Sequence, residues 1–98
     1  SAKRSPSLPD VPPINDTVKG YDVTTWYSLV APAGTPPEIV EKLNREIVAI
    51  IESPAIREKL REQGVEADAM TPAQLGAHLQ RERDRWAKVI RDAKIQPE

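Results

Sequence analysis

His78 is the one histidine of the chain, and cysteine is absent. A zinc-type centre needs several nitrogen or sulfur ligands converging on one point, and this chain cannot supply them. The lack of cysteine also excludes disulfides and thiol chemistry. No serine stands in a pattern that offers a base and an orienting partner, so nucleophilic catalysis is unsupported. Carboxylates are plentiful, but they sit on helical stretches beside Lys and Arg, the pattern of a solvated face. Asp10, Asp16 and Asp22 lie in or near a proline-rich stretch and suit turn chemistry. The four glycines are not clustered, so there is no phosphate loop. The expectation is a chain with no catalytic residue, no metal site and no cofactor, and not an enzyme. Trp26 and Tyr27 remain. Adjacent aromatics suit core packing on the two faces of a strand. They also suit a ring set against a ligand or a hinge, and they are the candidate ligand-proximal residues.

Composition narrows the partners. The formal net charge is −1, with both signs mixed along the 98 residues. Nucleic acid is not expected, because phosphate binding needs a basic face. The longest unbroken apolar run, residues 47–51, is far short of the roughly 20 residues a bilayer requires. No signal-peptide pattern is present. The chain opens on Ser1 rather than Met, which suggests that something upstream was removed or never included.

The elements that must carry Trp26 and Tyr27 follow from local chemistry. Residues 1–20 hold Pro6, Pro9, Pro12 and Pro13. Each proline fixes its own φ and extends the residue before it, so an irregular connector with no helix is predicted there. Residues 21–30 are rich in Thr, Val, Tyr and Trp and form the best strand candidate. Val23, Thr25, Tyr27 and Leu29 would share one face, and Thr24, Trp26, Ser28 and Val30 the other. One strand cannot satisfy its own backbone groups. The only other candidate is weak, at residues 65–70, and that shortage suggests an incomplete chain.

Three helices are predicted after the strand. Thr35-Pro36-Pro37-Glu38 reads as a capping box that opens a helix over residues 36 to about 52. Ile39, Val40, Leu43, Ile47, Ile50 and Ile51 form its apolar stripe. Ser53-Pro54 starts a short second helix, with Ser53 as N-cap, running to about residue 63. Gly64 fits the left-handed position just past its end, with Val65 folding back on Leu60. Thr71-Pro72-Ala73-Gln74 is a second capping box, opening a third helix over residues 72 to about 93. Leu75, Leu79, Trp86, Val89, Ile90 and Ala93 mark its buried side, and its middle, residues 80–85, is polar. The lone His78 reads as a plain helix-side histidine.

The run from Trp26 through Pro32-Ala33-Gly34-Thr35-Pro36-Pro37-Glu38, followed by Lys42-Leu43-Asn44, resembles the C-terminal third of the Bug-type solute receptors. These are periplasmic substrate-binding proteins of tripartite tricarboxylate transporters. Leu8-Pro9-Asp10-Val11-Pro12, Gly20-Tyr21, Ser53-Pro54, Thr71-Pro72 and Val89-Ile90-Arg91-Asp92-Ala93 extend the resemblance over nearly the whole chain. One departure stands out. Where the family carries Pro-Thr and then a Glu, this chain has Pro12-Pro13 and then Asn15-Asp16.

The resemblance implies an α/β fold, a two-lobed type II periplasmic-binding-protein architecture, of which this chain is a C-terminal fragment with one main strand and about three helices. Residues 1–20 would be the connector crossing between lobes. Residues 21–98 would supply the strand and C-terminal helices of the first lobe. The implied function is that of a receptor fragment. Its parent binds a small carboxylic acid in the periplasm and passes it to membrane permease subunits. The fragment itself would carry support and hinge rather than the ligand grip, and in isolation would self-associate. The alternative is a stand-alone helical protein-interaction module, with its strand pairing to another chain.

Overall fold

A computed structural model describes residues 2–96. It contains a 3₁₀ turn, Ile14–Asp16, and three helices: α1 (Pro37–Glu52), α2 (Pro54–Glu62) and α3 (Pro72–Asp92). α1 packs against both α2 and α3, and α2 and α3 do not meet.

All three predicted helices are present, but two of their starts differ in mechanism. α1 begins at Pro37, with Pro36 as N-cap at φ −54, ψ 137 and no side-chain cap. A residue before proline is held in the extended region, so Pro37 forbids Pro36 from being helical. The predicted Thr35 capping box therefore does not form. The Thr35 hydroxyl donates instead to the Pro32 carbonyl at 2.8 Å, closing a turn that the Thr35 amide also joins at 3.2 Å. Ser53 likewise makes no side-chain cap on α2. Its hydroxyl turns back to the Ile50 carbonyl at 2.6 Å and so finishes α1.

Thr71 behaves as predicted. Its hydroxyl accepts from the Gln74 amide at 3.2 Å, and the Gln74 side-chain oxygen accepts from the Thr71 amide at 2.8 Å. Two orphan donors of α3 are thereby satisfied. Thr71→Ala is expected to cost roughly 1 kcal/mol. Thr35→Ala should cost less, since its hydroxyl serves a turn and not a helix end. Urea titrations followed by far-ultraviolet dichroism compare them, and equal losses would mean that the Thr71 box does not contribute.

α2 ends as its sequence predicts. Gly64 adopts φ +71, the Val65 amide reaches the Leu60 carbonyl at 2.9 Å, and the Gly64 amide reaches Arg61 at 3.0 Å. The end of α3 repeats this geometry with a residue that does not advertise it. Lys94 takes φ +53, the Ile95 amide bonds to the Ile90 carbonyl at 3.0 Å, and the Lys94 amide bonds to Arg91 at 3.2 Å.

The strand is the main correction. Residues 21–30 form no strand, and the described residues contain none anywhere. From 23 to 31 the chain has no regular secondary structure, and its backbone makes no hydrogen bond among the described residues. Strand-forming side chains are not enough without a neighbour to share the ladder. The weaker candidate, residues 65–70, is also irregular.

The N-terminal connector is a chain of turns rather than an extended arm. The Leu8 amide donates to Ser5, that of Val11 to Leu8 and that of Asp16 to Pro13, all carbonyls at 3.0–3.1 Å. The Ile14–Asp16 turn contradicts the expectation of no helical geometry there. Pro13 sits just before it at φ −68, ψ 151, so proline stiffness sets its start rather than preventing it. Asn15, at the point of departure from the family pattern, uses its side-chain oxygen to accept from the Gly20 amide at 2.8 Å. The connector is fastened to two irregular segments further along the chain. The Ser5 hydroxyl donates to Glu66 at 2.9 Å, and the Ala2 amide donates to Asp22 at 3.0 Å.

Packing is shallow. No described residue is fully buried. The half-buried seam runs through Val40, Asn44, Ile47, Val48 and Ile51 of α1, with Ile56 and Leu60 from α2 and Met70 and Leu75 from the α3 side. The other edge of the α1 stripe is open: Ile39, Leu43 and Ile50 are 47, 49 and 56% exposed.

Candidate functional site

Trp26 and Tyr27 are neighbours in sequence with opposite fates. Tyr27 is 88% exposed, while Trp26 lies against α3. The Trp26 ring meets His78 edge to face, with centroids 4.8 Å apart and planes at 74°. His78 is therefore half of an aromatic contact and not a bare helix-side residue.

Four α3 residues gather around this contact. His78, Glu82, Arg85 and Trp86 follow i, i+4, i+7 and i+8 spacing, which places them on one face. The Glu82 carboxylate is the centre. Its Oε2 accepts from the Trp86 indole N–H at 3.1 Å and from the Trp26 indole N–H at 3.4 Å. Its Oε1 accepts from the Arg85 guanidinium at 3.1 Å. The same guanidinium stands 5.3 Å from the centroid of the Trp86 ring, within cation–π range.

Electrostatics agree with that geometry. The Trp86 indole N–H holds the Glu82 carboxyl below the ordinary range of glutamate, and Trp26, Arg85 and His78 push the same way against partial burial. A carboxylate so engaged is held in its ionised form. Both indole N–H groups and one guanidinium nitrogen around it are bonded to the chain's own anion.

Apart from this cluster, a concavity lies between α1 and the start of α3. This open groove, of about 410 Å³, is lined among others by Asn44, Val48, Met70 and Gln74. The Asn44 side-chain amide donates to the Met70 carbonyl across it at 2.8 Å. The described residues hold no group of three or more His, Cys, Asp or Glu arranged for a metal ion. No described helix is long and apolar enough to cross a membrane.

The structure thus brings one of the two candidate residues, Trp26, into a polar cluster and leaves Tyr27 outside it. Glu82 and Arg85 were missed as partners, because the polar middle of the third helix reads as solvated surface. The usable signal was the position of that polar pair between His78 and Trp86 at helical spacing.

Comparison with known proteins gives a consistent answer. Residues 1–95 match the family described as tripartite tricarboxylate transporter family receptor. A UPF0065 protein from the tcbD-tcbE intergenic region of Pseudomonas sp. strain P51 is 38% identical over 92 residues, covering 92% of this chain and 27% of that protein. A UPF0065 protein from the clcB-clcD intergenic region of Pseudomonas knackmussii is 33% identical over 92 residues, 92% of this chain and 54% of that protein. Protein BugT of Bordetella pertussis is 35% identical over 95 residues, 94% of this chain and 28% of that protein. The chain therefore spans from about a quarter to about half the length of these relatives. No solved structure matches it significantly. With nearly every residue inside the match and relatives aligned along most of its length, this chain belongs to the tripartite tricarboxylate transporter receptor family.

Proposed function

We propose that this chain is part of an extracytoplasmic solute receptor that works in the periplasm, binds a small carboxylic acid and delivers it to the membrane permease subunits of a tripartite tricarboxylate transporter. The observation that carries this is the family match over residues 1–95. The proposed parent is a two-lobed binding protein and not an enzyme. Residues 1–20 are its proline-rich crossover, and residues 21–98 belong to the C-terminal part of the first lobe.

Within the receptor these residues support and do not grip. Anion recognition needs unspent donors converging on open space. Here both indole N–H groups, of Trp26 and Trp86, and one nitrogen of Arg85 turn to Glu82, the chain's own anion. Tyr27, 88% exposed beside Trp26, is the residue best placed to meet a ligand or the opposite lobe.

Calorimetric titration with citrate, succinate, glutamate and nicotinate tests both parts. A longer protein carrying this chain is expected to bind one of the acids saturably, and the 98-residue chain to bind none. Tight binding by the 98-residue monomer would overturn the supporting role. Indifference of the longer protein to every acid would overturn the carboxylate assignment. The open edge of α1, at Ile39, Leu43 and Ile50, favours a second reading as a stand-alone helical interaction module. A carboxylate bound by the longer protein decides against it.

A further inference from the structure

We propose that Glu82 is the positioning residue that clamps residues 23–31 onto α3, and that protonation of its carboxylate releases them. The inference goes beyond the receptor assignment and does not depend on it. Among the described residues, Trp26 makes the only hydrogen bond and the only ring contact from the 23–31 segment. The segment's hydrogen bonding and ring contact with α3 thus come from one side chain, and that side chain is held by Glu82 and His78.

The carboxylate is heavily committed. One oxygen is shared by two indole N–H groups at 3.1 and 3.4 Å, and the other takes Arg85 at 3.1 Å. Ionised, it has lone pairs for all three donors. Protonated, it loses its charge and turns one oxygen into a donor, so all three bonds lose their charge assistance and weaken. The Trp26 bond is the longest, beyond the usual N–H···O range, and is the one surrendered. Tyr27 is its direct neighbour, so the presentation of that exposed ring follows the state of the clamp.

The charges facing Glu82 set the direction of the pH effect. On α3 they are Arg85 and His78. From the 23–31 segment there is the uncharged Trp26 ring alone. The helix packed on α3 is α1, whose Arg45 and Glu52 line the groove near Gln74, about two turns from Glu82. Because the Glu82 carboxyl lies below its ordinary value, the clamp is complete above roughly pH 4.3 and is lost as the pH falls through the lower, folded-state value.

The chain has two tryptophans, so its ¹H–¹⁵N spectrum carries two indole signals and reads the clamp directly. At neutral pH both signals should sit away from the free-indole position. On acidification both should move in one shared transition, with that of Trp26 travelling further towards free indole. Glu82→Gln should abolish the transition and leave Trp26 released at every pH, with the α1 amide signals unmoved. Arg85→Ala should keep the shared transition and raise its midpoint. A transition that survives in Glu82→Gln would overturn the proposal. So would a Trp26 signal at the free-indole position in the unaltered chain at neutral pH.

Discussion

In light scattering at micromolar concentration, the 98-residue chain is expected to run as a dimer or larger. Its accessible surface is 8503 Å² at a mass of 10.9 kDa. A compact monomer of this mass exposes about 5,600 Å². The radius of gyration, 16.6 Å, likewise exceeds the about 13 Å of a compact chain of this length. The surplus of about 2,900 Å² per chain is larger than the roughly 800 Å² that each partner buries in a standard interface. Much of it is apolar: the open edge of α1, the far half of α3 with Val89 and Ile90, and the segment carrying Leu29 and Val30. Exposed faces of this extent, next to backbone with no hydrogen-bond partners, drive association. A monomer with dispersed amide signals would refute the expectation and show that the chain closes its own core.

The second large effect concerns Asn44. Its side-chain amide donates to the Met70 carbonyl at 2.8 Å, and Met70 immediately precedes the N-cap of α3. That bond ties the middle of α1 to the entry of α3, and both residues are half-buried. Asn44→Ala removes the donor and leaves a half-buried carbonyl short of a partner, a cost of about 1–2 kcal/mol. Asn44→Asp is the sharper variant: it keeps the shape but turns an oxygen towards the Met70 carbonyl. Hydrogen exchange should quicken in the first turns of α3 and leave α2 unaffected, because α2 does not touch α3. If Asn44→Asp exchanges like the parent chain, the tie contributes nothing.

The helices were legible because their signals are local. The periodic apolar residues of α1, the Gly64 stop and the Thr71–Gln74 box each act within a few residues, and the structure shows all three. The Thr35 start was misjudged on a local rule as well. Pro36 satisfies the preference for proline in a first helical turn, but Pro37 behind it denies Pro36 helical geometry, and the second constraint wins. The strand failed for a different reason. Its side chains in residues 21–30 favour a pleated surface, yet a ladder is a property of two segments, and no described segment pairs with this one. The site was half legible. Trp26 was singled out for its type, but Glu82 lies 56 residues further on, and no periodicity links an irregular segment to one position on a distant helix.

The sharing of one carboxylate by Trp26 and Trp86 also decides what optical measurements on this protein report. Both indoles emit from the same few ångströms of α3, and α1 and α2 contain no tryptophan at all. Intrinsic fluorescence is therefore a single-address probe. A denaturation curve followed by emission tracks the detachment of residues 23–31 and the local state of α3, while dichroism averages over all three helices. The two curves are free to separate even where each is smooth, and their separation measures how far the α3 cluster comes apart before the α1–α2 pair does.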